Sequence, residues 1–555
     1  MPDAEKTGKR RPIRENAIDS PGTGCRRVVR DAILHPFWGI EMNNKTASRM
    51  LLAASVAAVF GIAPADAQPR KGGNLVYANI SGLGTQDPHV AAAVVELEPI
   101  NHIFEGLVAM GEDYEAKPSI ASKWEVSPDA RTFTFTLRQG VKFHNGKVLT
   151  SADVLASFQR YQALSPNRAQ LANVESFEAP DPHSFVIKLK APNSVFVEVL
   201  KTPTYPFSIL PAEQKDKAAR EIDIIGTGPF RLGEWVRDSH LTMRRNDDYS
   251  IDTARPGIDG LAGRKTVHLD SVRYNFVPEA NARVAALQSG GADYISNVPS
   301  DSAKRIANQP NINVVKVIPF CQQTFVLHTQ AAPTSNVLIR QAIQAVFDVD
   351  DMIAVSAPDA ERNPAMVFKT SPYYQPEIAA KYYDIKSTDK AKALLQQAGY
   401  KGEKIVLQTN ASYPYMRDSI TFLVELMKKA GMNPEISMVD WPTNASNMQS
   451  GNGGWNVSVT GFCSGPLLGP QQWRPLLVGF PQVKGDTILD TNYEKFFTSV
   501  DIAKRKEAWL AIEERVLSQA YMIKVSDMPD LRAHNGKFEG LKPYYFTRFW
   551  DVWQK

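Results

Sequence analysis

Along this 555-residue chain the hydrophobic positions alternate between a spacing of two and a spacing near 3.6. That switching predicts strands followed by helices, an α/β protein. GGNLVYANI (72–80) reads as a first strand, and the Gly-rich loop SGLGTQDPH leads to a helix around Val94–Phe104. The strictest alternation is RTFTFTL (131–137): Phe133, Phe135 and Leu137 share one face, Thr132, Thr134 and Thr136 the other. It reads as a half-buried strand. His144-Asn145-Gly146 then supplies a turn, Thr150 or Ser151 a helix cap, and Asp153 a carboxylate for the positive helix end. FEAPDPHSFVIKLKAP (177–192) has a hairpin pattern, while FRLGEW and SVRYNF are further strands. The helix NARVAALQSG puts Val284 and Leu287 on one side and ends at Gly290-Gly291.

The second half repeats the alternation. TFVLHT (324–329), KIVLQTN (404–410), EISMVDW (435–441) and WNVSVTGF (455–462) read as strands. NVLIRQAIQAVFDVDDMI (336–353), TDKAKALLQQAGY ending at Gly399, RDSITFLVELMKKAGM with its 3.6-residue apolar stripe, and KRKEAWLAIEERVLSQ (504–519) read as helices. No internal repeat or low-complexity tract interrupts them.

The N-terminus follows other rules. Met42 to Arg49 is short and basic, Met50–Ala63 is apolar, and Ala65-Asp66-Ala67 precedes Gln68. That order describes a secretory signal peptide over 42–67, cleaved after Ala67. Its apolar run is shorter than the roughly 20 residues a membrane helix needs. Residues 1–41, Arg-rich and without hydrophobic pattern, read as a non-native or disordered extension, with Met42 as the expected start. Of 63 basic and 59 acidic residues, residues 1–67 hold 10 and 7, leaving 53 against 52. A near-neutral remainder carries no electrostatic footprint for nucleic acid. Past the leader only Cys321 and Cys463 remain. In an oxidising compartment two cysteines either pair or stay buried as free thiols.

From Pro118 to Tyr161 the chain carries Trp124, SPD, FTFTLR, GVKFHNG and TSADV in that order. This block resembles the signature region of the extracytoplasmic solute-binding proteins of family 5, the peptide-, nickel- and oligosaccharide-binding components of ABC importers. LGTQDPH and IFEGLV resemble the family's first loop and helix, and Arg340, Ala342 and Ile343 match the opening of its second domain. His328 and Asn336 there replace the usual Asn and Asp. The resemblance covers Lys71–Trp553. It implies a two-lobed periplasmic binding protein of type II, cluster C-like, with an extra subdomain and two interdomain crossings. The first lobe is expected over 68–315 and 519–555, with the subdomain at about 112–223, and the second lobe over 316–518. The crossings are expected near Asn313–Cys321 and at YMIKVSD (521–527).

The resemblance also implies a Cys321–Cys463 disulfide, since VIPFCQQTFVLHT and GFCSG match the two places where oligopeptide-binding members carry cysteines. It places the ligand between the lobes. In peptide-binding members the loop matching Gly461-Phe462-Cys463-Ser464-Gly465 ends on an Asp that pairs with the peptide's α-ammonium; Gly465 stands there here. A buried ammonium without a counter-charge is costly. Either the solute lacks a free α-amine at this point or another acid approaches, Asp440 being nearest in sequence. Trp441 matches a cleft aromatic, and Arg417 an arginine that holds the ligand's carboxylate in dipeptide binders, with Tyr413 and Tyr415 as neighbouring options. From the first lobe, Gly82, Leu83, Gly84 and Thr85 and the pair Thr227-Gly228 are candidates, although glycines there equally serve tight turns. His89 and His144 read as structural, and His328 as a local hydrogen-bonding group.

The function implied is capture of a peptide or peptide-like solute, as a monomer, for delivery to a membrane permease with its ATPase. No cofactor and no metal are expected. The alternatives are an oligosaccharide, opine-like or metal-chelate solute. An exported hydrolase is a further alternative, but H-E-x-x-H, G-x-S-x-G and Walker sequences are missing and Cys463 has no evident His/Asn framework.

Overall fold

The computed structural model describes residues 69–80, 85, 87–91, 94–410, 413–463, 469–477, 483 and 485–555. The signal peptide, the extension before it, Gly82, Leu83, Gly84, Ser464 and Gly465 lie outside these residues.

A mixed eleven-stranded sheet organises the described chain. Ten strands follow in the order Asn433–Val439, Lys404–Asn410, Val457–Phe462, Asn313–Leu327, Met522–His534, Tyr294–Ile295, Asn74–Asn79, Ser271–Phe276, His240–Arg245 and Phe230–Val236. Glu361–Arg362 pairs with the strand Met522–His534 off this path.

The two long central strands are the crossings of a two-lobed molecule. They pair antiparallel from Asn313 opposite His534 to Val317 opposite Asp530, and again from Cys321 opposite Met528 to Val326 opposite Met522. The register shifts between Val317 and Cys321. Pro319 lies in that gap, and its missing N–H cannot continue the ladder. One end of the ladder joins the first lobe through Tyr294 and Ile295, and the other joins the second lobe through Val457–Phe462.

Each lobe has its own apolar core. Leu75, Tyr77, Val272, Tyr274, Phe549 and Trp550 lie in the first. In the second, Phe325, Leu407, Ile420, Leu423, Val459 and Ile523 fill one face of the sheet. Trp455, Trp473, Tyr493 and Trp509 fill the other.

The signature block folds as its pattern predicts. Thr132–Leu137 alternates buried and half-buried positions, with Phe133, Phe135 and Leu137 inward. It sits in a four-stranded antiparallel sheet ordered Ala121–Val126, Thr132–Leu137, Ser184–Leu189, Val174–Asp181. Gly146 takes φ 86° in the turn, a conformation glycine adopts without strain. Thr150, not Ser151, is the cap of helix Ser151–Leu164. The Asp153 carboxylate accepts from the Thr150 N–H at 2.9 Å and from the Thr150 hydroxyl at 3.2 Å.

Two elements differ from the sequence reading. Residues 336–353 form two helices, Val337–Ala345 and Val349–Ser356, rather than one. Asp348 caps the second by accepting from the Asp351 N–H at 3.1 Å, and Phe347 turns into the core at the break. Trp441 does not end a strand. It is the first residue of helix Trp441–Ser450, capped by Asp440.

Candidate functional site

Strand direction determines where side chains can converge. In the second lobe Lys404–Asn410 runs parallel to Asn433–Val439 and to Val457–Phe462, so the carboxyl ends of all three lie on one edge. The chain leaves those ends into Tyr413, into Asp440-Trp441 and into Cys463 respectively. In the first lobe Asn74–Asn79 runs parallel to Ser271–Phe276 and Tyr294–Ile295, and the last of these leads to Val298, whose N–H donates to Leu531 O at 2.8 Å on a crossing strand. Both sets of strand ends therefore meet at the crossing ladder, where open α/β sheets bind ligands.

Several expected residues come together there. Tyr413 stands edge-on to Trp441, ring centroids 5.3 Å apart, and 6.2 Å from Tyr415. Trp441 is half-buried, Tyr413 is exposed, and burial pushes the Tyr415 hydroxyl pKa up. A Cβ on Gly461 would come within 2.5 Å of the Tyr415 hydroxyl and 3.3 Å of Met528. The close approach of this strand to Tyr415 is thus the reason for glycine at 461. Phe462 is half-buried and stands edge-on to Trp473 at 5.0 Å. Cys463 is bonded to Cys321, Sγ to Sγ 1.99 Å. The bridge ties the end of strand Val457–Phe462 to the first crossing strand. Beside this cluster a hollow of about 530 Å³ opens between Asn297–Ser300, Ser356–Ala360, Pro414-Tyr415 and Met528–Leu531, contributed by both lobes and a crossing strand.

Other candidates are placed differently. Arg417 lies in the first turn of helix Pro414–Lys429, 47% exposed, with its Nε on the neighbouring Asp418 carboxylate at 2.8 Å. Asp440 spends both carboxylate oxygens on Thr443, accepting from its N–H at 2.9 Å and its hydroxyl at 2.8 Å. These bonds hold its carboxyl below the usual range and make it a helix cap rather than a free counter-charge. Thr227 is fully buried, and its hydroxyl donates to Glu105 at 3.0 Å. A Cβ on Gly228 would meet His102 O at 2.3 Å, so that glycine serves close packing on helix Val94–Ile103. Thr85 accepts from the Asp87 N–H at 3.1 Å.

The histidines are structural. His89 shares its ring nitrogens with Ser208 O at 2.7 Å and Arg160 at 3.2 Å, and burial lowers its pKa to about 4. His144 bonds Gly228 O at 3.0 Å, and His328 bonds Gly451 O at 3.0 Å. Among the described residues no three His, Cys, Asp or Glu side chains gather as a metal site, and no helix is long and apolar enough to cross a membrane.

Sequence reasoning missed the wall behind Phe462. Gln322, its partner across the ladder, is fully buried, and neither its amide nitrogen nor its amide oxygen has a hydrogen-bond partner among the described residues. The Thr324 hydroxyl and the Trp473 indole N–H are likewise buried and unpartnered. The signal was visible in QQT directly after Cys321, polar residues flanked by the apolar VIPFC and FVL.

A family profile described as bacterial extracellular solute-binding proteins, family 5 Middle, matches residues 115–479. The chain belongs to that family. Among relatives of this family-5 chain is the probable peptide ABC transporter periplasmic-binding protein y4tO of Sinorhizobium fredii. It is 26% identical over 395 residues, 69% of this chain and 74% of the relative. Two solved structures share the fold. The periplasmic binding protein DppA from Helicobacter pylori in complex with peptide STSA is 23% identical, with TM-score 0.69 over 88% of this chain and 99% of its own. AgaA from A. tumefacien R10 in complex with agropinic acid is 26% identical, with TM-score 0.67 over 85% of this chain and 96% of its own.

Proposed function

We propose that this chain is the solute-binding component of an ABC importer. It captures a peptide or peptide-like solute between its lobes and delivers it to an inner-membrane permease and its ATPase. The observation that carries this reading is the convergence of both lobes' strand ends, with Trp441, Tyr413, Tyr415 and Phe462, on the crossing ladder. Two lobes joined at such a ladder close around a ligand by a hinge. The protein itself performs no chemistry, since the energy of transport is spent by the ATPase. Export by the segment 42–67, a periplasmic location and a monomeric state belong to the same proposal. So do lobe boundaries near 315/316 and 518/519 and a subdomain at about 112–223.

Within the site, Trp441 and Tyr415 supply flat faces for the solute, Phe462 and the disulfide-bonded Cys463 stand at its rim, and Ser464 and Gly465 follow them in sequence as further candidates. Gly84, Thr85 and Thr227 are the first lobe's contributions, the last through its backbone because its hydroxyl is committed. Arg417 serves a carboxylate by leaving Asp418. Glycine at 465 favours a solute without a free α-amine there. That favours a second reading, an opine-like solute, AgaA being a related structure in complex with agropinic acid.

Mass spectrometry of small molecules released from the natively exported protein tests the proposal. A peptide or peptide-like solute at one per chain is expected. Recovery of a metal chelate or a sugar oligomer would overturn it.

A further inference from the structure

We propose that Gln322, Thr324 and Trp473 form an uncharged seat for an amide group of the solute on the second-lobe wall of the cleft. The assignment rests on reading the chain as a carrier of peptide-like solutes. All three side chains are at most 2% exposed, and their polar atoms lack partners. They share one face of the sheet: Gln322 lies across the ladder from Phe462, Thr324 is two residues along the same face, and Trp473 packs on the Phe462 ring. Gln322 is the one side chain among the described residues with two such orphaned atoms.

The chemistry of the atoms selects the ligand group. A glutamine amide offers one acceptor and a pair of donor hydrogens. A carboxylate only accepts and an ammonium only donates, so either would leave half of Gln322 unpaired. A peptide unit or carboxamide carries a C=O beside an N–H and satisfies both halves. The neighbouring charges neutralise each other. Lys524, opposite Thr324, binds Asp527, opposite Gln322, at 2.6 Å, and the other Asp527 oxygen accepts from Asn363 at 2.8 Å. Lys524 and Asp527, each committed to the other, offer a charged ligand group no free counter-charge, and it would lose its hydration.

The test compares two randomised tripeptide libraries, one with free termini and one capped as N-acetyl peptide amides, incubated with intact exported protein and quantified by mass spectrometry after capture. Wild type is expected to retain members of the capped library. Gln322→Leu/Thr324→Val is expected to retain at least ten-fold less while unfolding in urea at an equal or higher midpoint. Should that pair fail to fold, Gln322→Glu, which replaces the amide donor with a charge, is expected to show the same ten-fold loss. Capped peptides held equally by wild type and variants would overturn the seat. Retention of the free library alone, undiminished in the variants, would overturn it too, while leaving the carrier reading intact. Retention of neither library would overturn both.

Discussion

Gln322 and Gln323 are consecutive, chemically identical and fully buried, yet they face opposite sides of one strand and meet opposite fates. The Gln323 amide nitrogen donates to Ser356 at 2.8 Å and Ser419 at 2.7 Å, and its oxygen accepts from Ser526 at 2.8 Å. It pins helices Val349–Ser356 and Pro414–Lys429 to both crossing strands. Gln322 has none of this. Buried polar groups are nearly always paired, because an unpaired one costs about 1–3 kcal/mol. Gln323 is therefore finished as scaffold, and Gln322 is left for a partner from outside. The same contrast holds against the first lobe, where Arg160 binds both oxygens of buried Asp87 and leaves only its Nε over.

The difference between the two faces can be attacked from either side. The disulfide belongs with the scaffold. Replacing both Cys321 and Cys463 by Ser should cost roughly 2–5 kcal/mol in urea unfolding, because the bridge closes a loop of 142 residues' separation. An unchanged midpoint would remove the bridge from the account. Next in size, Gln323→Leu should destabilise by about 2–3 kcal/mol, since it strands the Ser526 hydroxyl and removes the buried bonds to Ser356 and Ser419.

A pH effect probes the other face. Burial raises the Glu513 carboxyl to about 7, and one of its oxygens lacks a partner. The folded protein then holds a proton that the unfolded chain has already released between about 4.5 and 7. Stability from this group is present below 4.5 and lost as pH rises through 7. His89 and His102, both lowered to about 4 by burial, act in the opposite sense, losing stability as pH falls from 6.5 towards 4. Urea midpoints from pH 4 to 8 should therefore pass through a maximum near pH 6.5, and Glu513→Gln should make the rise below it steeper and the fall above it shallower. The smallest effect is expected from Gln322→Leu without ligand, within about 0.5 kcal/mol of wild type or more stable.

Much of the fold was legible in the sequence. The alternation at Thr132–Leu137 and the glycines at 290 and 399 report local rules, and local rules hold where nothing else competes. The break at Phe347-Asp348 was hidden because a continuous apolar stripe does not show a capping aspartate inside it. In the site, Tyr415 and Gly461 meet in space because parallel strands bring their ends together, which spacing along the chain cannot reveal. Asp440 looked like a free acid and is a cap. Gln322 looked like strand filler. Only the pairing register shows which face it takes and that nothing answers it there.

The most direct measurement is a crystal structure of the protein loaded with the solute it carries from the cell. The account predicts solute atoms at hydrogen-bond distance from both the nitrogen and the oxygen of the Gln322 amide, beside Phe462. A solute seated away from this wall, with Gln322 satisfied by protein groups or ordered water alone, would contradict it.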